Sequence, residues 1–217
     1  MNSPRIKICC ISSIDEALLA ARSGATALGL VSAMPSGPGV IDEEAIAEIL
    51  RSVPAGLETF LLTAHQHADA IVEQHQRCRT TTLQLVDAVA EAELMRLRRA
   101  LPATSLVQVI HVSGAESIDE ACAVAHFVDA ILLDSGNQKL AVKELGGTGR
   151  VHDWSISRAI RVRCGKPVYL AGGLHAGNAR EAISQVQPFG LDICSGVRTD
   201  GKLDATKLRA FIAATGK

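Results

Sequence analysis

Eight short apolar, β-prone runs alternate with eight helical patterns along the 217-residue chain, glycine-rich turns follow the last of them, and no GxGxxG stands near the start. These observations predict a closed (β/α)8 barrel, the TIM-barrel fold, as one domain over residues 1–217. An open doubly wound sheet is the competing architecture. The count of eight and the missing dinucleotide fingerprint both disfavour it.

The strands are expected at 5–10, 27–32, 58–63, 82–86, 106–112, 130–134, 167–172 and 191–196, each rich in Val, Ile, Leu or Thr. Between them, apolar residues recur at three-to-four spacing, as in Ala17, Leu18 and Ala21, and predict helices at 14–23, 43–52, 66–77, 88–100, 118–126, 154–164, 178–187 and 205–214. Ser13, Asp15, Asp42 and Asp204 are start signals, whereas Gly24, Pro54 and Pro102 stop helices. No linker, low-complexity tract or repeat interrupts the alternation.

Composition narrows the function. Hydrophobic residues make up 47% of the chain, enough for a full core, and aromatics only 3%, which predicts an aliphatic core and removes the stacking surfaces of nucleic-acid binders. A net charge of −1 argues against nucleic acid or a charged membrane surface as partner. No window is long and apolar enough for a membrane span, and MNSPRIKICC lacks the apolar region of a signal peptide. The six cysteines fit neither a disulfide framework nor a zinc site, so a cytoplasmic protein with reduced thiols is expected. No metal ligand set is predicted. His65, His67 and His75 read as solvated residues around a surface helix, His111 as a hydrogen-bonded core histidine, and Arg96, Arg98 and Arg99 as a solvated helix face.

The chemistry concentrates at strand tips. On the first strand Lys7 and Cys9 share the face that points into the barrel, while Ile6, Ile8 and Cys10 share the face that packs under helices. A charge buried at Lys7 needs a partner, and Asp192 on the neighbouring eighth strand is the candidate. Asp134 ends the sixth strand. An aspartate there is ordinarily a cap or loop acid, and a cysteine ordinarily a small buried hydrophobe. At opposite strand tips of one barrel mouth, however, Cys9 and Asp134 form a plausible base-and-acid pair. Strand seven ends Ala171-Gly172-Gly173-Leu174 and strand eight Cys194-Ser195-Gly196-Val197. Glycines at these two consecutive tips let backbone N–H groups approach a phosphate, and the Gly146-Gly147-Thr148-Gly149 loop adds a third small-residue segment.

Lys7-Ile8-Cys9 with Asp15 and Gly24, Gln84-Leu85, Leu132-Leu133-Asp134, the GGTG loop with Asp153-Trp154, Leu170 to Leu174 with Asn178, and Gly190, Asp192 and Ser195-Gly196-Val197 occur in order over nearly the whole chain. In these pieces the chain resembles the phosphoribosylanthranilate isomerase family of tryptophan biosynthesis. The resemblance implies an isomerase that carries out an Amadori rearrangement, turning an N-linked phosphoribosyl amine into a 1-deoxyribulose phosphate amine. It implies no cofactor and no metal. It makes Asp134 the general acid that protonates the furanose ring oxygen, and Cys9 the general base that removes the proton from the sugar C2. Gly147, Gly172, Gly173, Ser195 and Gly196 then hold the phosphate. Lys7, Arg150, Asp192 and Arg198 are further expected substrate contacts, and the partner is a small phosphorylated amino sugar bound by a monomer or homodimer.

Four positions depart from the family pattern. Cys10 follows the catalytic cysteine where the family has glycine. The loop after strand two reads Ser36-Gly37-Pro38-Gly39-Val40, with Pro38 where an arginine binds the anthranilate carboxylate. Strand four runs on into Val86-Asp87 rather than His-Gly, and Arg198 replaces a glutamate. These changes fall on the aromatic-acid half of the site and keep open two other readings: the same reaction on another phosphoribosyl amine, and a non-catalytic binder of a phosphorylated ligand. Retention of both Cys9 and Asp134 disfavours the last.

Overall fold

The computed structural model describes residues 3–136 and 149–216. Its core is a closed barrel of eight parallel strands in sequence order: β1 (Arg5–Ile8), β2 (Ala27–Val31), β3 (Glu58–Thr63), β4 (Thr82–Leu85), β5 (Ser105–His111), β6 (Ala130–Asp134), β7 (Val168–Leu170) and β8 (Gly190–Ile193). The helices around it are α1 (Ile14–Arg22), α2 (Glu43–Ser52), α3 (Ala68–Cys78), α4 (Glu91–Ala100), α5 (Glu116–Val124), α6 (Trp154–Cys164), α7 (Ala179–Val186) and α8 (Ala205–Ala214). This is the (β/α)8 barrel that the alternation predicts. A 3-10 turn at Ser195–Val197 and a small hairpin, β9 (Arg198–Thr199) with β10 (Lys202–Leu203), follow β8 and were not anticipated.

Local chemistry accounts for the helix starts. Ser13 Oγ accepts from Glu16 N at 3.2 Å while Glu16 reaches back to Ser12 N at 3.1 Å, so two orphan donors of α1 are satisfied together. Asp42, Asp153 and Asp204 cap α2, α6 and α8 through their carboxylates.

Closure brings β1 against β8, with Lys7 opposite Asp192 in register. Ile6, Ile8, Leu28, Leu61, Leu133 and Leu191 face outward into the layer between strands and helices. The inner face carries Val31, Leu62, Val107, Leu132 and Tyr169. The aliphatic expectation needs one amendment, because Phe60, Tyr169 and Phe189 form an edge-to-face chain with ring centroids 5.6 and 5.4 Å apart. Gly190 makes room for it: a Cβ there would stand 2.5 Å from the Tyr169 ring. His75 is also buried rather than solvated, its Nε2 2.8 Å from Thr80 O. His111 is a buried histidine bonded to Val86 O, as expected. Among the described residues no helix is long and apolar enough to cross a membrane, and no cluster of His, Cys, Asp or Glu is arranged to hold a metal ion.

Candidate active site

A pocket opens at the C-terminal ends of the strands. Cys9 from the tip of β1 and Asp134 from the end of β6 both line it. Gly172, Gly173 and Ser195 line one side, and Met34, Ser36, Gly37 and Pro38 from the loop after β2 line another. Gln84 and Asp192 complete its floor.

Asp134 is 9% exposed, and its Oδ1 accepts from Ser135 N at 2.7 Å, which fixes the carboxyl against its own strand end. Lys7 is fully buried, with Nζ 2.8 Å from Asp192 Oδ2 and 5.2 Å above the Phe60 ring. Burial disfavours the Lys7 ammonium, but Asp192, with a smaller contribution from the nearby Cys9, overrides this and holds it above its ordinary range. The Asp192 carboxyl is pushed up by the same burial, with Lys7 pulling it back. A Cβ built on Gly29 would lie 3.0 Å from Lys7 Nζ and 2.9 Å from Cys9 Sγ, so ammonium and thiol converge on that glycine. A cation thus stands beside the sulfur that a base mechanism requires to carry negative charge.

The glycine tips are shaped by close approach. Gly172 and Gly173 have φ of +83° and +62°, and a Cβ on either would press within 3.0 Å on the chain at Arg150 or Val151. Gly149, the last residue of the small-residue loop, faces Ser195: its Cβ would lie 3.8 Å from Ser195 Oγ. Gly196 packs against Leu174 O. The tips of β7 and β8 and the chain returning to α6 therefore meet on one side of the pocket, while Gly147 lies outside the described residues.

Three expected contacts are placed differently, and the first is Lys7, fully buried and absent from the pocket wall. Arg198 does not line the pocket. Its guanidinium ion-pairs with Glu16 at 2.9 Å and donates to the carbonyls of Cys9 (3.2 Å) and Cys10 (2.5 Å). Burial opposes the Glu16 carboxylate, yet Arg198 and the amides of Leu203 and Ser12 hold it below the usual range. Arg198 thus braces the tip of β1 from outside. Arg150 lines a neighbouring groove with Ser135, Val151 and His152. Among the described lining residues, none is Lys, Arg or His.

Two side chains, Gln84 and Cys10, have roles that the sequence did not show. Gln84, 3% exposed, has a buried Oε1 without a protein partner at the pocket floor. Cys10 was placed among residues packing under the helices, but β1 ends at Ile8 and the alternation ends with it. Cys10 instead adopts φ +62° and turns its thiol into the pocket wall, 2.7 Å from the sulfur of Cys194. Glycine's usual place after the cysteine was the available signal, since a left-handed backbone there favours glycine.

Fold and pocket define a (β/α)8-barrel enzyme whose chemistry sits at the C-terminal ends of its strands. Residues 6–214 match the family described as N-(5'phosphoribosyl)anthranilate (PRA) isomerase. An N-(5'-phosphoribosyl)anthranilate isomerase 2 of Methanosarcina mazei is 35% identical over 210 residues, 96% of this chain and 92% of that protein. The phosphoribosyl anthranilate isomerase structure from Thermotoga maritima superposes with a TM-score of 0.82 at 28% identity, covering 98% of both chains. Another, with TM-score 0.82, 25% identity and the same coverage, is a complex of the isomerase with reduced 1-(o-carboxyphenylamino)-1-deoxyribulose 5-phosphate. The chain belongs to the phosphoribosylanthranilate isomerase family.

Proposed function

We propose that this chain isomerises N-(5'-phosphoribosyl)anthranilate to 1-(2-carboxyphenylamino)-1-deoxyribulose 5-phosphate, a cytoplasmic step of tryptophan biosynthesis. The observation that carries the reading is the presence of Cys9 and Asp134 in one pocket whose flank is built from the glycine tips of β7 and β8. In this mechanism Asp134 gives its proton to the furanose ring oxygen, the C1–O bond breaks, and the anilino nitrogen's electron pair forms a protonated imine at C1. Cys9, as thiolate, takes the C2 proton. The C2–H pair becomes the C1=C2 bond, and the imine electrons return to nitrogen. The enol at C2 then tautomerises to the ketone, with a proton delivered to C1. Gly172, Gly173, Ser195 and Gly196 anchor the phosphate so that C1 and C2 fall between acid and base. Lys7 and Asp192 act as a buried pair behind Cys9 and at the pocket floor.

The test is turnover of N-(5'-phosphoribosyl)anthranilate by purified protein, with rescue of a tryptophan auxotroph lacking the isomerase. Cys9→Ala and Asp134→Asn are each expected to lose activity by at least about a hundredfold, the usual weight of a general acid or base. Full activity in both variants would refute the assignment. A second reading, the same rearrangement on a phosphoribosyl amine with a different aglycone, is favoured by one observation: Pro38 lines the pocket at the position where the family resemblance implies an arginine for the anthranilate carboxylate. Folded protein that fails on the anthranilate substrate but turns over another phosphoribosyl amine would establish it.

A further inference from the structure

Three thiols meet at the barrel mouth, although the proposed reaction uses only one. Cys9, Cys10 and Cys194 all line the pocket, and all six cysteines of the chain are free. Cys9 lies toward β2, its sulfur against Gly29. Cys10, turned by its positive φ, meets Cys194 at the tip of β8, sulfur to sulfur at 2.7 Å. Arg198 donates to the carbonyl of Cys10 and so fixes this end of β1.

We propose that Cys10 and Cys194 are a redox-modification site: a dithiol that a hydroperoxide converts reversibly to a disulfide tying the tip of β1 to the turn beginning at Ser195. The bridge is independent of the reaction assigned above; its effect on turnover rests on that reading.

The two thiols differ in surroundings and exposure. The Cys194 thiol donates to Cys10 Sγ and lies beside the Arg198 guanidinium, whereas contacts with Cys194 and Cys9, together with burial, push the Cys10 thiol up. Cys194 is the more exposed of the two, half-buried where Cys10 is buried, and it lines the pocket where a small oxidant can reach it, so it is the attacking thiol, reacting as thiolate. Its sulfur attacks one peroxide oxygen. The O–O bond breaks, a sulfenic acid forms, and the hydroxide released takes a proton to become water. The Cys10 sulfur then attacks that sulfur, the S–O bond breaks, and the departing hydroxide takes the Cys10 proton. Two thiols thus lose two electrons and two protons, and hydrogen peroxide becomes two waters. A bridge between adjacent Cys9 and Cys10 would close an eight-membered ring through a planar peptide, which its geometry resists. Cys9 stays a thiol.

The experiment treats the protein with hydrogen peroxide, alkylates the remaining thiols and digests with trypsin without reductant. The expected product joins the peptides 8–22 and 181–198, with a loss of two hydrogens that dithiothreitol restores. The link should persist in Cys9→Ser and vanish in Cys10→Ser and in Cys10→Gly, the latter suited to the left-handed backbone. In the oxidised protein KM should rise about tenfold, the weight of one charge-assisted hydrogen bond to the phosphate, and kcat should change less. A link that survives in both Cys10 variants, oxidation of Cys9 or Cys194 to sulfinic acid without a link, or a bridge solely between Cys122 and Cys164, whose sulfurs lie 3.1 Å apart between α5 and α6, would each overturn the proposal. If the link forms in a protein that is inactive on the anthranilate substrate before oxidation, the assigned reaction fails and the bridge stands.

Discussion

Replacing Lys7 by methionine removes one charge from a pair that is almost wholly shielded from solvent. Lys7 is 0% exposed and the Asp192 side chain 7%, with 2.8 Å between Nζ and Oδ2. Methionine keeps most of the volume and the contact with Phe60, so the loss is electrostatic. Leaving one buried partner alone costs about 3–5 kcal/mol, and Lys7→Met should lose that amount near pH 7 in urea unfolding. The variant has an escape, because Asp192, already raised by burial, rises further once Lys7 no longer pulls it back. A carboxyl whose folded pKa exceeds its unfolded one contributes stability below the unfolded pKa and loses it as pH rises through the folded value. The deficit against wild type should therefore be largest at neutral pH and shrink on acidification, starting above the ordinary carboxylate range. Lys7→Met with Asp192→Asn should recover most of the stability, because no unpaired charge remains. A loss below about 1 kcal/mol, or a deficit unchanged between neutral and mildly acid pH, contradicts a buried ion pair as what holds β1 to β8.

Other consequences follow from the same geometry. Gly172→Ala forces a Cβ to 3.2 Å from Asp134 Oδ1 at φ +83°; it should cost about 1–2 kcal/mol of stability and, by displacing the acid, lower kcat roughly tenfold to a hundredfold, measured by steady-state kinetics beside a melting curve. Pro38→Arg places a cation on the pocket wall that the proposed reading assigns to the anthranilate and should lower KM for the anthranilate substrate roughly tenfold or more; an unchanged KM means that the carboxylate does not meet that wall. Arg198→Met unties Glu16 and the carbonyls of Cys9 and Cys10, and should destabilise the protein by about 2 kcal/mol, reduced from the buried-pair value for its partial exposure. Because Glu16 is held below the usual range, that contribution exists above the unfolded carboxylate pKa and fades as pH falls through the folded one. Its loss on acidification should therefore begin below the range where the Lys7→Met deficit starts to close, and pH-dependent unfolding of both variants tests the order.

The barrel was legible because its signals are local. Periodicity, caps such as Asp42 and Asp204, and turn glycines report the order of elements without long-range information. The errors fall at the C-terminal strand tips. Strands expected to reach 10, 172 and 196 end at Ile8, Leu170 and Ile193. Composition stays apolar or small there, but the positive φ of Cys10, Gly172 and Gly173 and the 3-10 turn at Ser195 break the ladders. Those residues are the ones that line the pocket or abut it, so local rules fail where the chain is bent for chemistry. The pairing of Lys7 with Asp192 was readable because barrel closure makes strands one and eight neighbours. The destination of Arg198 was not, because Glu16 lies 182 residues away and nothing in the order of elements says which carboxylate a tip arginine will meet.

Two departures from the family pattern, far apart in sequence, become one in space. Cys10 adds a side chain where the family has glycine, and a Cβ on Gly39 would come within 2.5 Å of the Cys10 Cβ. The loop after β2 can lie over Cys10 only because Gly39, at φ +78°, presents no side chain to it. The ends of that loop are pinned, Ile41 N donating to Val31 O at 2.9 Å, so it has little freedom to move aside. Pro38 in place of the expected arginine, held beside Gly39, is thus coupled to the extra thiol beneath the loop. Restoring the arginine alone changes the wall of the pocket but leaves Cys10 under the loop. Restoring glycine at position 10 as well frees the space that Gly39 now leaves empty. If the coupling is real, Pro38→Arg and Cys10→Gly should be non-additive in KM, as residues sharing one contact are. Strict additivity would mean that the two changes only happen to lie on the same side of the pocket.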